Sequence, residues 1–255
     1  MKPLIVGNWK MNKLIYEAID WVCELKEKLP LPLPAEVVVV PPFTVLKSVC
    51  ESLDGFPVAL GAQNMHMETS GAFTGEISYN MLRDVGCDYV LIGHSERRNL
   101  FGETDSIVNA KIRAASGLNV IFCLGETSQQ HKKGITKEII QDQLVEGLQN
   151  LSDTDAEKLT VAYEPVWAIG TGENASPAEA QEIHRLIRDW LVKTFGVGAS
   201  KKIRILYGGS VKAHNSAVLL AEKDIDGLLV GGASLNAETF CAIIKSAGGA
   251  LLREM

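Results

Sequence analysis

Short, continuous apolar runs recur along the chain. Between them lie longer stretches in which apolar residues return every three or four positions. The runs are Leu4–Val6, Val37–Val40, Val58–Ala62, Tyr89–Ile92, Val120–Leu124, Thr160–Tyr163, Ile203–Leu206 and Leu228–Val230. They do not alternate apolar with polar, as a sheet with one wet face would. They read as strands covered on both faces, which is the situation of a parallel sheet flanked by helices. The intervening stretches predict helices over Leu14–Leu29, Thr44–Leu53, Ser78–Asp84, Asp105–Ser116, Lys137–Leu148, Ser176–Phe195, Ala217–Ala221 and Glu238–Lys245. Pro30, Pro32 and Pro34 stop the first helix, and Ser176-Pro177 with acids in the first turn is a strong start signal.

Eight strand-then-helix units in 255 residues are about 32 residues apiece, near the minimum for a parallel β-α-β step. That count and length predict an α/β protein with a single closed (β/α)8 barrel forming one catalytic domain over residues 1–255. An open doubly wound sheet is the alternative, but no Gly-x-Gly-x-x-Gly follows the first strand, and no linker marks a second domain.

Composition narrows the classes. A formal net charge of −6 argues against nucleic acid as the main partner, although a local basic pocket for a small anion stays open. No apolar run reaches membrane-spanning length, and MKPLIVGNWK is too short and too quickly polar for a signal peptide. The five cysteines show no paired spacing, which favours a reducing, cytoplasmic location with buried thiols. Neither Cys-x-x-Cys nor His-Glu-x-x-His occurs, so no metal site is expected.

In such a barrel the residues just after the strands share one rim, and that rim carries the chemistry. Lys10 follows the first strand, His94 the fourth and Glu164 the sixth. A histidine facing a helix N-terminus meets partial positive charge, which lowers its pKa. Glu164 stands at the end of an apolar strand, before Pro165 and an apolar loop closed by Gly170-Thr171-Gly172. A lid of that kind excludes water and makes the carboxylate more basic, as a carbon acid requires. Three glycine turns, Gly170-Thr171-Gly172, Gly208-Gly209-Ser210 and Gly231-Gly232, follow the last three strands. Bare backbone amides there suit a phosphate. Together these groups suit proton transfer between adjacent carbons of a small phosphorylated carbonyl compound. A Schiff-base aldolase using Lys10 and a non-catalytic phosphosugar-binding barrel are the rival readings.

The segments Gly7–Asn12, Gly71–Glu76, Gly93–Arg98, Ala162–Gly172 and Tyr207–Ser210, in this order, resemble motifs of the triosephosphate isomerase family over essentially the whole chain. The base, neutral histidine and lid of that family are standing examples of these roles. The resemblance implies a TIM barrel that interconverts dihydroxyacetone phosphate and D-glyceraldehyde 3-phosphate without cofactor or metal. Glu164 would be the base, His94 the electrophile and Lys10 the stabiliser of negative charge. Asn8, Trp9, Lys10, Gly170, Ser210, Gly231 and Gly232 would bind the substrate, with Glu96 supporting the lysine. The lid would span 165–175. The resemblance further implies a homodimer in which the loop carrying Phe73 and Thr74 inserts beside the partner's site. The chain departs from the family pattern at Glu173-Asn174 in the lid and at Asn236-Ala237 before the last helix.

Overall fold

The computed structural model describes residues 1–115, 117–152, 156–168 and 175–251. Its eight parallel strands close in chain order: β1 (Leu4–Asn8), β2 (Glu36–Val40), β3 (Ala59–Ala62), β4 (Tyr89–Ile92), β5 (Asn119–Leu124), β6 (Leu159–Tyr163), β7 (Arg204–Tyr207) and β8 (Gly227–Val230). Closure is made by β8 on β1, with Leu4 opposite Gly227 and Gly7 opposite Val230.

The unbroken apolar runs follow from having two cores. Successive strand side chains point to opposite faces. Leu4, Val6, Val38, Val40, Leu91, Ile121, Leu206 and Leu229 fill the barrel lumen. Ile5, Val37, Val39, Val90, Ile92, Phe122, Val161 and Ile205 pack outward against the helices. Both faces are dry over most of each strand, so no regular polar alternation appears. At the N-terminal end of the barrel, the Glu36 carboxylate accepts from Arg204 at 2.5 Å and from the Tyr89 hydroxyl.

Several elements differ from expectation. The helix expected over Ala217–Ala221 spans Ala213–Leu219 instead. Its start is fixed by Asn215, whose Oδ1 accepts the Lys212 N–H at 2.8 Å, a reach back into the preceding turn that no Ser, Thr or Asp announces. The long helix begins at Pro177 and breaks where expected, just past Phe195: Gly196 is non-helical at φ +80° and ψ 164°, and a further short helical stretch runs on to Ser200. Its start obeys the signal: Ser176 Oγ accepts the Glu179 N–H at 3.2 Å and Glu179 Oε2 accepts the Ser176 N–H at 2.8 Å. Short helices at Ser95–Phe101 and Ser128–Lys132 are too brief to show an apolar period. The departure at Asn236 is benign, because its Oδ1 accepts the Thr239 N–H at 2.8 Å and caps the last long helix, Ala237–Ser246. No helix of the described residues is long and apolar enough to cross a membrane.

Candidate active site at the C-terminal rim

A cavity of about 440 Å³ opens at the C-terminal ends of the strands. Asn8, Lys10, His94, Glu164, Ser210, Gly231 and Gly232 line it, drawn together from five separate strand ends.

His94 is placed by Gly93, which turns the chain out of β4 at φ +75°, and it caps the helix Ser95–Phe101. Its Nδ1 accepts the Glu96 N–H at 3.2 Å, so the ring proton belongs on Nε2. That Nε2 lies 3.0 Å from Glu164 Oε1, and Glu164 Oε2 accepts the Ser95 N–H at 3.0 Å. Behind His94, the Arg98 guanidinium donates to Gly93 O at 2.7 Å, Cys123 O at 3.2 Å and Asp105 Oδ1 at 2.5 Å.

Glu164 follows directly after β6 rather than ending it, yet its N–H still donates to Leu124 O at 2.7 Å. Its pKa and that of His94 both run opposite to the expectation from sequence. Burial alone pushes the imidazole down, but the adjacent Glu164 carboxylate outweighs it and lifts His94 above the ordinary histidine value. Burial alone pushes the carboxyl up, but His94, the Ser95 N–H and Lys10 outweigh it and hold Glu164 below its usual range. The two motifs lie 70 residues apart in the chain, but the fold makes the two groups partners.

Lys10 adopts φ +53°, an uncommon conformation for a residue with a Cβ. Its N–H donates to Asn8 Oδ1 at 3.0 Å, its carbonyl accepts from Gln63 Nε2 at 2.8 Å, and its Nζ lies 2.5 Å from Glu96 Oε1. Glu96 therefore touches the lysine without lining the cavity. Trp9 departs from expectation. Its side chain is fully buried and meets Trp21 edge to face with ring centroids 4.7 Å apart. The peptide carries Asn8 and Lys10 inward while the indole anchors the turn in the core.

The glycine turns have two different causes. A Cβ on Gly232 would meet nothing within 4 Å, which leaves its backbone open to a ligand, and one on Gly231 would meet only Lys10 Cε at 3.5 Å. By contrast, a Cβ on Gly208 would stand 2.9 Å from Glu164 Cγ, and one on Gly209 would stand 2.2 Å from the Tyr207 hydroxyl oxygen. Those two glycines are required by packing against the site. Gly170 and most of the expected lid lie outside the described residues. At the start of the segment expected to form the lid, Trp167 Nε1 donates to Glu126 Oε1 at 2.7 Å, and the indole stacks on His131 at 4.2 Å. Glu126 is fully buried and also accepts from Tyr163, a role nothing local in the sequence reveals. Phe73 remains 43% exposed, resting on His66 of its own loop with ring centroids 4.2 Å apart, and Thr74 beside it is exposed.

A closed (β/α)8 barrel with a buried acid–imidazole pair at its C-terminal rim places the protein among barrel enzymes. The triosephosphate isomerase family profile matches residues 3–247. Among similar proteins, the triosephosphate isomerase of Carboxydothermus hydrogenoformans is 54% identical over 246 residues, covering 96% of this chain and 98% of that one. That of Chlorobaculum tepidum is 49% identical over 247 residues, covering 96% and 100%. The chain belongs to the triosephosphate isomerase family and is an isomerase of that type.

Proposed function

We propose that the protein interconverts dihydroxyacetone phosphate and D-glyceraldehyde 3-phosphate through an enediolate, with Glu164 as base, His94 as electrophile and Lys10 stabilising negative charge. The observation that carries this reading is the 3.0 Å approach of His94 Nε2 to Glu164 Oε1 within a cavity that Lys10 also lines. A carbonyl compound entering between them takes over the Nε2–H and leaves the carboxylate facing carbon. Each group then loses the partner that opposes its burial. The carboxyl rises towards a useful base, and the imidazole falls towards its neutral, hydrogen-bond-donating form. Glu164 removes a proton from C1 of the ketose and returns it to C2, while the O1 hydroxyl proton passes to O2. His94 and Lys10 hold the charge that develops on the oxygens meanwhile.

The phosphate is assigned to the backbone of Gly231 and Gly232, with Ser210 and Gly170, where the openness around Gly232 favours close approach. The segment 165–175 acts as a lid that excludes water from the enediolate, hinged at the Trp167–Glu126 contact. No cofactor or metal enters this scheme. A homodimer in the cytoplasm is the expected form. Exposed Met11, Phe73, Leu100 and Phe101 supply apolar surface for the partner.

A coupled assay with D-glyceraldehyde 3-phosphate tests the proposal. Turnover to the ketose supports it, whereas tight binding without turnover supports a phosphosugar-binding barrel. Borohydride treatment in the presence of the ketose separates the aldolase reading, which requires a trapped adduct on Lys10; none is expected.

A further inference from the structure

The outward neighbour of β5 stops short. Pairing between β4 and β5 ends with Ile92 opposite Phe122, and the chain then leaves the sheet at Gly93, while β5 continues to Leu124. Backbone groups of successive strand residues point to alternate neighbours. Leu124 O accepts from Glu164 and Glu126 O from Val166, so the groups of Cys123 and Gly125 face the side that β4 has vacated. Side chains fill the gap. Arg98 takes Cys123 O at 3.2 Å. Gln143, on the helix Thr136–Gly147, takes both groups of Gly125: its Oε1 accepts the Gly125 N–H at 2.8 Å and its Nε2 donates to Gly125 O at 3.2 Å.

Gly125 is no ordinary point of attachment. A Cβ built on it would lie 1.8 Å from Glu164 O and 2.7 Å from Glu164 C, so the two backbones are in direct contact. Displacement of Gly125 is therefore passed straight to the residue that carries the carboxylate. We infer that Gln143 is a positioning residue for Glu164, acting through the paired amide of Gly125 from outside the cavity. This rests on the assignment of Glu164 as base. A loss of about 1 Å in the placement of a reacting group costs on the order of 100-fold in rate, so even a partial slip is measurable.

The test is Gln143→Met, which keeps the length and removes both hydrogen bonds, assayed beside wild type, Glu164→Asp and the double variant. Gln143→Met is expected to lower kcat on the order of tenfold with KM within about twofold. In the Glu164→Asp background, where the base is already displaced, the same change is expected to cost less than about twofold. Unchanged kcat, a rise in KM accounting for the loss, or a fully additive loss in the double variant would each overturn the inference. If Gln143→Met does not fold, Gln143→Glu keeps the acceptor for the Gly125 N–H and loses the donor. It is expected to lower kcat at unchanged KM, and wild-type kcat there overturns the inference equally. Inactive wild type would instead remove the isomerase reading itself, so the two failures are told apart.

Discussion

His94 Nε2 and Glu164 Oε1 are 3.0 Å apart, buried together where β4 and β6 end, and each reverses the effect of burial on the other. On the proposed mechanism a substrate oxygen that engages Nε2 displaces the carboxylate, so that binding readies both groups. His94→Gln keeps a polar side chain but removes the imidazole. It is expected to lower kcat on the order of 100-fold while KM changes far less, read from steady-state rates in either direction. Full activity in this variant would take the imidazole out of the reaction.

Lys10 contributes a cation to the cavity, which Lys212 also lines, and is held at positive φ by Asn8 and Gln63. Lys10→Met keeps the stem and removes the charge. Both a raised KM for the anionic substrate and a kcat lowered on the order of 100-fold are expected, because in the proposed mechanism the charge acts on bound phosphosugar and on the enediolate alike. Isothermal titration with a substrate analogue checks the first effect independently of turnover.

A buried histidine away from the cavity sets part of the acid sensitivity. His184 is fully buried, its Nδ1 lies 3.0 Å from Asp224 O, and burial pushes its pKa down to about 4. An unfolded chain titrates its histidines near ~6.5. Between those values the unfolded state binds the extra proton, so native stability falls as pH drops through that window, by about 3 kcal/mol in all. His184→Gln is expected to flatten the pH dependence of urea unfolding between about pH 6.5 and 4 by nearly one proton. An identical slope in the two proteins would contradict this.

Phe73 stands exposed at the tip of a long loop, and Met11, next to Lys10 in the chain, is 94% exposed. Sedimentation at micromolar concentration is expected to give a dimer for wild type. Phe73→Ala should shift the equilibrium towards monomer and lower kcat with it. A monomeric wild type of full activity would dispose of the dimer proposal.

The strands were legible because both faces of each are dry, so short apolar runs needed no partner to be recognised. The rim residues were legible through their position after those strands. What was hidden depends on contacts remote in sequence. Trp9 sits between two site residues yet belongs to the core, because Trp21 receives it there. Gly208 and Gly209 look like an anion cradle, but Glu164 and Tyr207 occupy the space a Cβ would need. The contact that sets the pKa directions of His94 and Glu164 is hidden for the same reason, since the distance between two strand ends is not written in either motif. Gln143 carries no motif at all; only the early departure of β4 from the sheet gives it work.

In the proposed mechanism the Glu164 carboxylate takes the proton from carbon. The most direct test of that step is the rate of D-glyceraldehyde 3-phosphate isomerisation by Glu164→Asp, which withdraws the same carboxylate by one methylene. A kcat lower on the order of 100-fold or more is expected, with KM little changed. Equal kcat in variant and wild type would contradict it.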